Sequence, residues 1–168
     1  GGEAREVLDL THSDLLLRRM PITTALSPGI PPVLGDRVQL QQVILNLILN
    51  ACDAMSTVAP AERELSLTTV ADDGFVQIAV ADRGVGVPED QLDLVFDPFV
   101  THRAQGLGLG LTISRSIVLA HRGRIEVACG EGRVEVVRAQ VEGRKPLGAS
   151  ELVGGRTLAQ GMVLGGKS

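Results

Sequence analysis

Aromatic side chains are nearly missing: the 168-residue chain has three phenylalanines and neither tryptophan nor tyrosine. Its core must therefore be assembled from Leu, Ile and Val, and 44% hydrophobic residues are enough of them for one globular domain. Cysteine is scarce too. Cys52 and Cys129 are too few and too far apart for a disulfide framework or a zinc site, and they read as reduced core thiols. Basic charge is not in excess, with 16 Lys and Arg against 20 Asp and Glu and a net charge of −4, so the footprint of a nucleic-acid partner is missing. No run of about 18 apolar residues offers a membrane span, and no charged-then-apolar start suggests a signal peptide. These absences predict no membrane contact by this segment and a cytoplasmic location, whether or not a longer parent protein is membrane-anchored.

What the chain does have is a strongly patterned stretch at residues 36–55, DRVQLQQVILNLILNACDAM, which predicts one helix. At about 100° per residue, Gln39, Gln42, Asn46, Asn50 and Asp53 form a polar stripe in an otherwise apolar cylinder. An unpaired buried amide costs about 1–3 kcal/mol, so this stripe implies polar groups facing it. Asp36 is placed to cap the helix, with Gln39 three residues later in a capping-box arrangement.

Around this helix the pattern predicts an amphipathic helix over residues 3–19, with His12 on its surface, and a short strand at 22–26. Two strands at 65–70 and 75–81 are joined by Asp72-Asp73-Gly74, which suits a hairpin. A short helix follows through Val95, then a helix over 111–121 with His121 in its last turn, where a cation is favoured. Gly123 stops that helix and a strand follows. After residue 129 the pattern decays, apart from weak alternation at 134–141.

Three groups carry candidate chemistry. Gly106, Gly108 and Gly110 precede a helix, whose free N–H groups and positive dipole end suit phosphate, although a surface loop has the same composition. Asp82, ahead of Gly84 and Gly86, is either a strand-end turn residue or an acceptor for the exocyclic amine of a base. Asn46 and Asn50, one turn apart, are either a hydrogen-bonded core pair or oxygen ligands for Mg²⁺.

Their order is more specific than any one of them. Asn46-x-x-x-Asn50-Ala51, Asp82-x-Gly84-x-Gly86, Phe96-x-Pro98-Phe99 and Gly106-x-Gly108-x-Gly110 together resemble the N, G1, F and G2 boxes of the ATP-binding catalytic domain of two-component sensor histidine kinases. The phrases VFDPFVTHRAQGLGLGL and IVLAHRGRIEV look most like the nitrogen-regulation and oxygen-sensing branch. The resemblance implies the Bergerat ATP-binding fold, an α/β (α+β) two-layer sandwich in which three helices cover one face of a mixed sheet. It implies ATP and Mg²⁺ as cofactors. Asn50 would hold the metal, with Asn46 assisting at metal and phosphates, and Asp53 would extend or orient the polar stripe. Asp82 would accept from the adenine amine, and Gly84 and Gly86 would shape the base pocket. Phe96 and Phe99 would anchor a mobile lid, hinged by Gly106, Gly108 and Gly110, with Thr101, Leu107 and Leu109 also in the nucleotide-contacting set. The family usually has Thr-Lys where this chain has His102-Arg103, so Arg103 would inherit the cationic role, and Asn46 and Arg103 are the candidate catalytic residues.

Hydrolysing relatives of the gyrase and Hsp90 type place a glutamate one turn before the metal-binding asparagine, where it activates water. Here that place is Asn46, which has no basic group at neutral pH, and this favours phosphoryl transfer to a histidine. The implied partners are a histidine-bearing dimerisation domain of the same parent protein and a response regulator receiver domain. None of His12, His102 and His121 has the setting of the accepting histidine, which is expected outside this chain. The rival readings are an ATP-hydrolysing relative and a non-catalytic nucleotide-binding or docking module.

Residues 1–129 are thus expected to be the catalytic ATP-binding domain, and residues 130–168 an atypical segment with a makeshift strand near 133–141 and a poorly ordered tail. The tail's GMVLGGKS matches a P-loop pattern but has no helix after it, so a second nucleotide site is rejected. The missing Gly-Thr-x-Phe strand and Leu-Pro end point to a reading frame or gene end that differs from the relatives after about Cys129. Resequencing the coding DNA checks this: an intact frame shared by close relatives overturns it.

Overall fold

The computed structural model describes residues 2–17, 19–33, 35–72, 74–100, 108–128 and 133–140. The elements run α1 (Gly2–Leu17), β1 (Ile22–Leu26), α2 (Arg37–Ala54), β2 (Leu65–Asp72), β3 (Phe75–Asp82), α3 (Gly110–Ala120), β4 (Arg124–Ala128) and β5 (Arg133–Gln140), with 3₁₀ turns at Pro60–Glu62 and Glu89–Leu94. The five strands make one mixed sheet in the order β1-β2-β3-β5-β4. β1 pairs parallel with β2, and the other pairs are antiparallel. This is the mixed sheet with helices on one face that the motif order implied.

Helix α2 begins where its cap chemistry puts it. Asp36 is extended, and its Oδ1 accepts from the Gln39 N–H at 2.9 Å, satisfying one of the helix's free amides. The apolar majority of the helix is buried: Val43, Ile44, Leu47, Ile48, Ala51 and Met55 belong to one core cluster with Leu65, Leu67 and Val80 of the sheet. The sheet answers with alternate residues. Leu65 and Leu67 of β2 stand opposite Asp82 and Val80 of β3 in register and share a face, as the period of two requires. Val70, one step out of phase, is on the other face and about half exposed. As the composition demanded, the buried hydrophobic cluster among the described residues is aliphatic, with Phe96 packed at its margin.

The ends of the layers are tied by polar contacts. The Glu6 carboxylate of α1 pairs with Arg37 and accepts from Gln41 Nε2 at 2.7 Å, fastening α1 to the start of α2. The bond from Arg37 holds the Glu6 carboxyl below its ordinary value, so the tie is present at neutral pH and is lost as pH falls through the lowered value. Ser27, just past β1, donates its hydroxyl to the Thr69 carbonyl at 2.7 Å and its N–H to Thr69 Oγ1 at 3.2 Å, which gives that buried threonine its partners.

β1 has the bounds expected from sequence, and the β2–β3 hairpin closes from Asp72 to Phe75 with Gly74 at a φ of 92°. β5 is the strand whose importance the pattern understated. It pairs along eight residues with β3 and along five with β4, so the sheet runs past residue 129 and an inner strand is supplied from beyond it. Its weak alternation hid this because an inner strand is held by hydrogen bonds on both edges, which any side chain permits. The tail from residue 141, including the P-loop-like GMVLGGKS, lies outside the described residues.

Leu47 is fully buried between the sheet and the other helices. Leu47→Ala is expected to destabilise the chain by about 2–5 kcal/mol, lowering the urea midpoint with little change of slope. A loss below about 1 kcal/mol contradicts the placement of α2 at the core.

Candidate functional site

The polar stripe of α2 is answered mainly by α3. Asn46 Nδ2 donates to Ser114 Oγ at 3.3 Å, and Ser114 is fully buried. One turn further on, Asn50 is 6% exposed and faces Gly110, where a Cβ would lie 3.9 Å from Asn50 Oδ1. The helices run antiparallel, so the buried amide of α2 meets the N-terminus of α3. Asp53 is half-buried in the last turn of α2, whereas Gln39 and Gln42, at the other end of the stripe, are exposed. The stripe is therefore buried or half-buried in its second half and solvated in its first.

Opposite this seam, the end of β3 presents Asp82, 6% exposed. Its Oδ1 accepts from the Gly84 N–H at 2.7 Å, and Val85 N–H donates to the Ala54 carbonyl at 3.2 Å. The loop is thereby pressed onto the last turn of α2. A Cβ on Gly84 would sit 2.6 Å from the Ala54 Cβ and 2.7 Å from its carbonyl oxygen, so no side chain fits there. Gly86 supplies the left-handed turn, at a φ of 70°. A carboxylate has about four acceptor positions, so Asp82 has capacity for an exocyclic amine as well as for its own loop.

The two phenylalanines of the F box play different parts. Phe96 is half-buried, lies under the Arg115 guanidinium at 5.3 Å from the ring centre, and its carbonyl accepts from Thr112 Oγ1 at 3.0 Å. Both grips come from the first turns of α3. Phe99 is 74% exposed and left-handed at a φ of 68°, and its N–H donates to the Gly108 carbonyl at 3.2 Å. A Cβ on Gly108 would stand 2.7 Å from the Phe99 carbonyl carbon, and Gly108 itself has a φ of 67°, so this closure requires glycine twice over. Thr101, His102, Arg103, Gly106 and Leu107 lie outside the described residues.

Helix α3 begins at Gly110 after Leu109, whose side chain makes no capping bond. The cap residue itself thus gives the first N–H groups no side-chain acceptor, and a helix terminus of this kind suits an anion such as phosphate. For a metal, the described residues contain no cluster of three His, Cys, Asp or Glu. They do provide the amide oxygen of Asn50 beside the start of α3, an oxygen ligand that fits Mg²⁺ arriving with phosphates and keeping several waters. Asn46 would need Oδ1 for a metal, since its Nδ2 serves Ser114.

Thr112, Ser114 and Arg115 were not singled out from sequence. Ser114 meets Asn46, while Thr112 and Arg115 meet Phe96, and these partners, 16 to 68 residues away in the chain, left no local signal.

A family model described as "Histidine kinase-, DNA gyrase B-, and HSP90-like ATPase" matches residues 35–145, from the start of α2 to beyond β5. The chain belongs to this family. Within this ATPase family it is similar to the sensor protein FixL of Bradyrhizobium diazoefficiens, 44% identical over 101 residues that cover 60% of this chain and 20% of FixL. Among solved structures, the catalytic domain of histidine kinase ThkA superposes with a TM-score of 0.73 at 27% identity, covering 83% of this chain and 90% of that one. ThkA has also been solved in complex with the response regulator protein TrrA. Full-length ShkA in complex with AMPPNP gives a TM-score of 0.72 at 32% identity, over 90% of this chain and 32% of that one. The chain thus spans about a fifth of the length of FixL but nearly all of an isolated kinase catalytic domain. No described helix is long and apolar enough to cross a membrane.

Replacing Asn50 removes the amide oxygen that faces the start of α3. Asn50→Ala is expected to weaken Mg-ATP binding by at least about tenfold in titration calorimetry, and unchanged affinity in the presence of Mg²⁺ refutes the assignment.

Proposed function

We propose that this chain is the ATP-binding catalytic part of a sensor histidine kinase, supplying the γ-phosphoryl group of ATP to a histidine on a separate dimerisation domain. The observation that carries this reading is the meeting of the Asn50 amide with the uncapped N-terminus of α3, across the site from Asp82. The N–H groups of α3 bind and orient the phosphates. Asp82, held in place by Gly84, accepts from the adenine amine. Bound Mg²⁺ supplies neutralisation of phosphate charge, and Asn50, with Asn46 beside it, would hold it. Arg103 is the cation assigned to the lid. In phosphoryl transfer of this kind the protein mainly positions and neutralises, and these residue types suit that.

The choice of transfer over hydrolysis rests on Asn46. An amide bonded to Ser114 does not take a proton from water, whereas a neutral imidazole on a partner domain is already nucleophilic. A response regulator receiver domain is the proposed destination of the phosphoryl group, as the ThkA complex suggests by analogy.

Incubation with labelled ATP and a separately made dimerisation domain of a close relative is expected to give an acid-labile, base-stable phosphohistidine on that domain. Steady phosphate release without the partner favours the hydrolysing relative instead. Tight ATP binding with no phosphohistidine leaves a binding or docking module.

A further inference from the structure

His121, which ends α3, has no part in the reading so far. Its ring nonetheless makes two hydrogen bonds that reach across the fold. Nε2 accepts from the backbone N–H of Asp36 at 2.8 Å, and Nδ1 lies 2.7 Å from the Ile117 carbonyl oxygen. A carbonyl only accepts and a backbone N–H only donates, so this pair of contacts requires the proton on Nδ1 and the lone pair on Nε2. The Asp36 N–H is the group that the Gln39 side chain of a capping box would satisfy, and here the histidine of another helix takes that place. The slot is shaped for the ring: a Cβ on Gly35 would lie 2.2 Å from His121 Cδ2 and 2.8 Å from Nε2.

We propose that His121 is a positioning residue that fixes the register of α3 along α2 and so sets where the N-terminus of α3 meets Asn50. Two hydrogen bonds and one close approach relate the antiparallel helices in order. Asp36 meets His121, Asn46 meets Ser114, and Asn50 faces Gly110. The His121 tie stands at the end of the pair remote from the phosphates, about 16 Å along α3 from Gly110. Apolar burial has no direction of its own, while the single hydrogen bond from the α2 cap to a ring that is itself held by the Ile117 carbonyl of α3 is directional and fixes one register. A slip of one turn carries Gly110 about 5.4 Å from its present place, which separates it from the Asn50 amide. The functional consequence rests on the ATP-site reading above; the register device itself does not.

The test uses the full chain. Long-range ¹⁵N–¹H spectra of the histidine rings at neutral pH should show His121 as the Nδ1–H tautomer, and an Nε2–H tautomer overturns the proposal. His121→Ala should move the backbone amide resonances of Gly110 and Ser114 and weaken ATP binding by about tenfold. His121→Gln, whose Oε1 can accept from Asp36 N–H, should return the resonances and bring the affinity to within about threefold of the parent. Gly35→Ala, which displaces the ring while keeping it, should behave like His121→Ala, and it serves if the latter fails to fold. Amide changes confined to residues 35–37 and 119–123, with ATP affinity unchanged, overturn the proposal while Asn50→Ala still tests the site. If instead Asn50→Ala has no effect on ATP while His121→Ala moves Gly110, the ATP-site reading fails and the register device stands.

Discussion

A buried amide has to be answered, and most of this fold can be understood as the answer. Helix α2 is apolar enough to fill the space under the sheet, yet it carries Asn46 and Asn50 into that space. An amide left without partners there costs about 1–3 kcal/mol. Helix α3 answers Asn46 with the Ser114 hydroxyl and brings its own start to face Asn50. The packing of the two helices is thereby a polar contact set inside an aliphatic core, and the place where it is richest in free helix N–H groups is the place suited to phosphate.

The loops take their shapes from that seam. The Asp82–Gly86 turn lies on the last residues of α2, and its conformation depends on the missing Cβ of Gly84. The segment from Phe96 onward is gripped by Thr112 and Arg115 of α3, one bond to its carbonyl and one cation over its ring. On either side of the undescribed residues the chain is tied by the Phe96 anchor and the Phe99–Gly108 bond. Thr112 and Arg115, which grip Phe96, share one helix with Gly110, so displacement of α3 alters both contacts together.

Periodicity and cap chemistry made most of the architecture legible. Asp36 stops being coil and starts a helix because its carboxylate can serve Gln39 N–H, a local fact. The hairpin follows from two alternating runs with Asp-Asp-Gly between them. The order along the chain made candidates legible, and in the fold Asn46 meets Ser114, Asn50 faces Gly110, and Asp82 holds its own loop at Gly84. The hidden parts were those settled by distant partners. Phe96 and Phe99 are three residues apart and look alike in sequence, but one meets α3 and the other meets solvent. His121 looks like a helix-end cation, and instead it accepts a hydrogen bond from a residue 85 positions earlier.

The sequence by itself determined which segments are helix and strand, that the core would be aliphatic, and that one helix would carry a polar seam needing a partner. These follow from periods, caps and composition, which are properties of neighbours in the chain. The tertiary structure alone decided which polar group answers which, that β5 lies inside the sheet and not at its edge, and which half of the seam is buried. Those outcomes depend on hydrogen bonds and close approaches between residues far apart in sequence, where a gap of a few tenths of an ångström at Gly84 or Gly35 decides whether the contact can exist.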